Sequence, residues 1–187
     1  ISFLTEAEIL AVIHAPDQAR WEGRRDRALL ALALQTGLRV SEIVALNCGD
    51  IMLGTGAHVC CEGKGRKQRA VPLTKPTQAL LHAWLAERAG APTDPLFPTR
   101  TGRRLSRDAV EHRVATHSAV ATQHCPSLKG KKLHPHVLRH SCAMSLQMRD
   151  VAFDASFGTF CDRYAVTERV FATWSVYAPM SAGHAVA

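Results

Sequence analysis

Thr36-Gly37-Leu38-Arg39-Val40-Ser41-Glu42 follows the Ala- and Leu-rich run Arg24–Gln35. The run reads as a well-buried helix. Gly37 stands where a left-handed C′ residue ends such a helix. A short third helix is expected from Val40 to Leu46, so Arg39 falls at the boundary between two helices. On its own it reads as a surface arginine capping the carbonyls of the helix before it. A hundred residues later comes His136-Val137-Leu138-Arg139-His140, within a helix expected over Pro135–Met148. Two guanidinium forks aimed at one point make a site for a phosphate or another tetrahedral oxyanion. His136, three residues before Arg139, adds a proton shuttle on the same helical face. The pair of boxes outweighs the capping reading of Arg39 and points to attack on a phosphodiester.

Working outward, Thr5-x-x-Glu8 is a capping box ahead of Ile9, Leu10 and Ile13, which predicts a first helix over Thr5–Ala15. Asn47–Asp50 reads as a turn. Ala57–Cys61 and Gln68–Leu73 read as two antiparallel strands joined at Glu62-Gly63-Lys64-Gly65, with a basic hairpin tip. Thr74 caps a helix from Pro76 to Arg88, buried along Leu80, Leu81, Trp84 and Leu85. Ala91–Gly102 is a Pro- and Gly-rich loop, and Ser106 caps a helix reaching Gln123. The expected class is α+β, mainly α, with a small antiparallel sheet.

At 187 residues the chain suits one domain, and its 47% apolar share supports a core. The net charge of +7 and pI near 9.4 suit a polyanionic partner. Three clusters carry that charge: Lys64, Arg66, Lys67 and Arg69; Arg100, Arg103, Arg104 and Arg107; and Lys129, Lys131 and Lys132. Arg66, Lys67, Arg69, Arg103, Arg104, Lys131 and Lys132 are the candidate DNA contacts. No apolar run is long enough for a membrane span, and no signal peptide is evident. Six cysteines without a Cys-x-x-Cys pair suggest a reducing, cytoplasmic setting. His136 and His140, with Cys142 nearby, form a rival metal-binding set, weakened because no acidic ligand accompanies it. Gly63-Lys64-Gly65 lacks the spacing of a nucleotide-binding P-loop.

Taken together, these residues resemble the tyrosine recombinase (phage integrase) family. The resemblance is carried by Leu4-Thr5-x-x-Glu8, Thr36-Gly-Leu-Arg39-x-Ser41-Glu42-x-x-x-Leu46, Gly63-Lys64-Gly65-x-Lys67-x-Arg69-x-x-Pro72-Leu73, Leu96-Phe97 and His136-x-Leu138-Arg139-His140. It implies a catalytic domain over residues 1–148 acting on double-stranded DNA, with copies associating on the DNA. In that family a tyrosine attacks the scissile phosphate and forms a 3′-phosphotyrosyl link. The resemblance implies that Arg39 and Arg139 hold the phosphoryl oxygens, that Lys64 protonates the leaving 5′-oxygen, and that His136 relays a proton. It implies no metal and no nucleotide cofactor.

Residues 149–187 depart from the pattern. The family's Leu-Gly-His box and Thr-Thr-x-x-Tyr helix are missing, and the position expected for the nucleophile falls at Val170–Trp174. Tyr177 is the nearer of the two tyrosines to that position. No lysine follows Lys132, and seven of the eleven aromatics follow Asp150. This tail reads as a segment out of frame or without a packed structure. The chain opens on Ile1, not Met, which fits a fragment of a longer protein, and the family's N-terminal DNA-clamping domain is not among these residues. Two rivals remain at this point: a non-catalytic DNA-binding remnant, and a type IB topoisomerase relative.

Overall fold

The computed structural model describes residues 3–63 and 68–147. They form six α-helices and a three-stranded sheet: α1 (Glu6–His14), α2 (Trp21–Thr36), α3 (Val40–Ala45), β1 (Ile51–Met52), β2 (His58–Glu62), β3 (Gln68–Pro72), α4 (Lys75–Arg88), α5 (Arg107–His124) and α6 (Pro135–Gln147). The expected mainly α fold with a small antiparallel sheet is the fold observed.

The helix starts follow capping chemistry. Thr5 N donates to Glu8 Oε2 at 2.8 Å while Glu8 N donates to Thr5 Oγ1, closing the box that starts α1. Thr74 and Ser106 accept from the third residue of α4 and α5. Gly37 has φ +61°, and its N–H bonds Ala33 O, so α2 ends in the left-handed turn that glycine adopts without Cβ strain.

α2 is the central helix. Ala28 to Leu34 are all at most 5% exposed, which explains its apolar run: neighbours cover it on every side. It begins a turn earlier than Arg24, because Trp21 packs edge-to-face on Trp84 of α4 at 5.2 Å and Arg25 lies over its ring. Arg25 is itself buried, bonded to Asp26 and Pro98 O. Asp26 also accepts from His117 on α5, so α2, α5 and the long loop share one polar knot inside the core.

The sheet runs β1-β2-β3, antiparallel, with Val59 opposite Val71 and Cys61 opposite Arg69. Val59, Cys61 and Val71 face the core. β1 is two residues long, too short for an alternating pattern to reveal. Among the described residues no helix is long and apolar enough to cross a membrane.

Candidate active site

The two arginine boxes meet. Leu38, Arg39, Val40 and Ser41 from the α2–α3 junction line one cavity of about 250 Å³ with Pro135, His136 and Arg139 from α6. Arg107 and Glu111 from α5 complete the lining. The hundred residues between the boxes serve, for this purpose, to bring the chain back.

Arg39 is the N-cap residue of α3. Its backbone N–H donates to Glu42 Oε2 at 2.8 Å and its Nη1 to Glu42 Oε1 at 3.1 Å. Arg69 of β3 reaches the same carboxylate, Nη2 to Oε2 at 2.7 Å. Glu42 is 5% exposed, whereas the Arg39 side chain is 53% exposed. Burial pushes the Glu42 carboxyl up. The hydrogen bonds and charges of Arg69 and Arg39 outweigh that push and hold it below the ordinary carboxylate range. A buried anion therefore anchors the root of Arg39 and leaves its outer face to the cavity. Glu42 belongs to the quoted motif, but its role as an anchor needs Arg69, which only the fold brings to it.

Arg139 is held differently. Its Nη1 donates to the Gly37 carbonyl, so the guanidinium closes the end of α2. That is the capping task the sequence suggested for Arg39. On the same helix, Cys142 Sγ donates to Gln35 O at 3.2 Å and is pushed by burial to about 12. Cys142 thus packs into the core, away from the His136 edge of α6. Among the described residues no group of three or more His, Cys, Asp or Glu side chains is placed to hold a metal ion. His136 is exposed at the cavity and meets His134 edge-on at 6.1 Å between ring centres.

A second cavity, about 380 Å³, shares Arg39 and Ser41 with the first and continues to Glu62 and Gly63. Gly63 immediately precedes Lys64, so the hairpin starts at the rim of the arginine site. Lys64, Arg66, Lys67 and Tyr177 lie outside the described residues, as does the tail after Asp150.

The other basic residues divide by what they touch. Arg104 Nη1 bonds the carbonyls of Val44, Ala45 and Leu46, and its Nη2 bonds Asn47 Oδ1, clamping the end of α3. Lys131 Nζ bonds Glu8 Oε2 at 2.8 Å and Phe3 O at 3.1 Å. Arg69 is taken by Glu42. Arg103 and Lys132 are exposed, and the Arg103 side chain bonds Thr101 Oγ1 nearby. The sequence reading left Arg107 and Glu111 out of the site. Their i, i+4 spacing was the available signal that they share one face of α5.

The sequence pattern of the Phage integrase family matches residues 2–155. The chain belongs to the phage integrase family. The integrase/recombinase y4rC of Sinorhizobium fredii is 46% identical over 146 residues, covering 78% of this chain and 44% of that protein. The tyrosine recombinase XerD of Pseudomonas putida is 36% identical over 148 residues, covering 76% and 47%. This integrase-family chain therefore spans about half the length of the curated relatives it matches. The solved XerH site-specific recombinase, in a post-cleavage complex with its palindromic difH substrate, superposes with TM-score 0.65 and 28% identity. That match covers 80% of this chain and 43% of XerH. XerA recombinase, at 22% identity and TM-score 0.66, shares the fold.

Proposed function

We propose that this chain is the catalytic part of a site-specific recombinase that cuts and rejoins double-stranded DNA through a 3′-phosphotyrosyl intermediate. The observation that supports it above all is the convergence of Arg39, Arg139 and His136 on one cavity. In the proposed reaction a tyrosine hydroxyl attacks the scissile phosphorus, a new P–O bond forms, and the 5′-oxygen leaves with a proton. Arg39 and Arg139 stabilise the charge that builds on the non-bridging oxygens. Lys64 supplies the leaving-group proton, from a hairpin that springs from the rim of the site. His136 relays the proton lost by the nucleophile. Within the family's chemistry the phosphotyrosyl bond keeps the energy needed for rejoining.

Duplex DNA is the proposed partner, together with a second copy of the chain on that DNA, in the cytoplasm. Arg103 and Lys132, which are exposed, are proposed phosphate contacts. With about five phosphates neutralised, the log–log salt slope of binding is near −4 to −5.

A suicide substrate, a nicked duplex that traps the covalent adduct, tests the reading. An adduct abolished by Tyr177→Phe assigns the nucleophile. DNA binding without any adduct supports the second reading, a non-catalytic DNA-binding remnant. That reading is favoured by the absence of the Leu-Gly-His and Thr-Thr-x-x-Tyr stretches after Arg139.

A further inference from the structure

The arginine cavity contains a carboxylate that the proposed chemistry does not use. Glu111 lines it beside Arg39, Arg107 and Arg139 and, among the described residues, is the only acidic one lining it. It is exposed, on the second turn of α5. The other acid near the site, Glu42, is buried and bonded to both Arg39 and Arg69, so its charge is already matched. Glu111 is different: an anion entering the cavity meets its charge directly.

Arg107 sharpens the contrast. It is the first residue of α5, at the positive end of the helix dipole, where a cation is disfavoured and an acid stabilises. Helix stability does not account for its position. Arg107 adds a positive charge to the cavity, and Glu111, four residues on, adds a negative one on the same face.

We propose that Glu111 is a charge filter: it lets the arginine cavity accept a monoanionic phosphodiester while repelling dianionic phosphates. The proposal rests on the phosphate-binding reading above and names the feature of the phosphate that the site selects. A backbone phosphate in DNA carries one negative charge. Inorganic phosphate near neutral pH and the terminal phosphates of nucleotides carry up to two. Three arginines alone favour the dianion, because attraction scales with ligand charge. A carboxylate on the lining of the same cavity subtracts from that attraction once for a monoanion and twice for a dianion. Its effect therefore falls on the competitor.

The experiment compares two small anions whose charge does not change near neutral pH: dimethyl phosphate, a monoanionic diester, and sulfate, a dianion. Each is titrated into the full chain at constant ionic strength, reading the NMR signals of the Arg39 and Arg139 guanidinium groups and of His136. Across a cavity of this size, one unit charge acting on one unit of ligand charge is worth roughly tenfold in affinity. Glu111→Gln is therefore expected to raise dimethyl phosphate affinity roughly tenfold and sulfate affinity roughly a hundredfold. The sulfate-to-diester preference then rises roughly tenfold, while Glu111→Asp keeps the wild-type preference. An unchanged preference in Glu111→Gln, or equal weakening of both anions, overturns the filter alone. Failure of both anions to move the Arg39 and Arg139 signals, in wild type and in Glu111→Gln alike, overturns the filter and the phosphate-binding reading together.

Discussion

Replacing Glu42 by glutamine tests whether a buried anion organises the arginine site. The carboxylate accepts three bonds, from Arg39 N at 2.8 Å, Arg39 Nη1 at 3.1 Å and Arg69 Nη2 at 2.7 Å. Glutamine has the same shape but one acceptor oxygen and no charge, and its NH2 group must face a guanidinium. The Arg39 side-chain contribution is screened, because that side chain is half exposed. The Arg69 bond and the backbone bond carry most of the effect. Charge-assisted bonds of this kind contribute about 1.5–3 kcal/mol each, and partial replacement leaves an expected loss of about 2–3 kcal/mol at pH 7. The sign with pH follows from the lowered carboxyl. Its stabilisation is complete above the ordinary value of 4.5 and is lost as pH falls through the lower folded value. Urea unfolding of both proteins from pH 7 downward should show a constant gap at neutral pH that closes under acid conditions. A gap below about 0.5 kcal/mol at pH 7, or one that widens on acidification, refutes the anchoring role.

Gly37→Ala forces a side chain into φ +61° and places a Cβ 3.2 Å from Cys142 Sγ. It should cost about 1–3 kcal/mol in denaturant unfolding and weaken anion binding, because the Arg139 acceptor shifts with it. Arg104→Ala should lower stability by about 1–2 kcal/mol, through loss of the bonds its guanidinium makes to the Val44, Ala45 and Leu46 carbonyls and to Asn47 Oδ1. The salt slope of its DNA binding should change by less than about one, because its guanidinium is occupied within the fold. Cys61 and Cys142, raised by burial to about 11 and about 12, should resist iodoacetamide at pH 8 in the folded protein and react once urea is added. Modification of the native protein at either position would contradict their burial.

Much of this fold could be read locally. Thr5, Thr74 and Ser106 mark helix starts because a side-chain oxygen there satisfies an N–H that the helix leaves open, and Gly37 marks an end because its φ is positive. The meeting of Arg39 and Arg139 was legible from the chemistry the two boxes share and from the resemblance, since nothing in spacing alone brings the two together. What escaped depends on distant partners. Trp21 extends α2 because of Trp84, sixty-three residues away. Arg104 and Lys131 looked like free cations in basic clusters, yet each is bonded to groups from a remote part of the chain. Arg107 and Glu111 enter the site only because α5 crosses the end of α3.

The bond from Arg139 to the Gly37 carbonyl has a consequence for how this chain tolerates change. A helix end and a side chain from the far side of the sequence are fastened at one atom. An extra residue anywhere between Thr36 and Leu38 would rotate that carbonyl away and unfasten the pair. Extra residues at Gly102, which is exposed and has open space around its Cα, would leave the fastening untouched. Length changes are therefore expected to be tolerated at the Gly102 turn, whereas the three residues from Thr36 to Leu38 are held in register. Libraries built to retarget the protein should place their insertions accordingly.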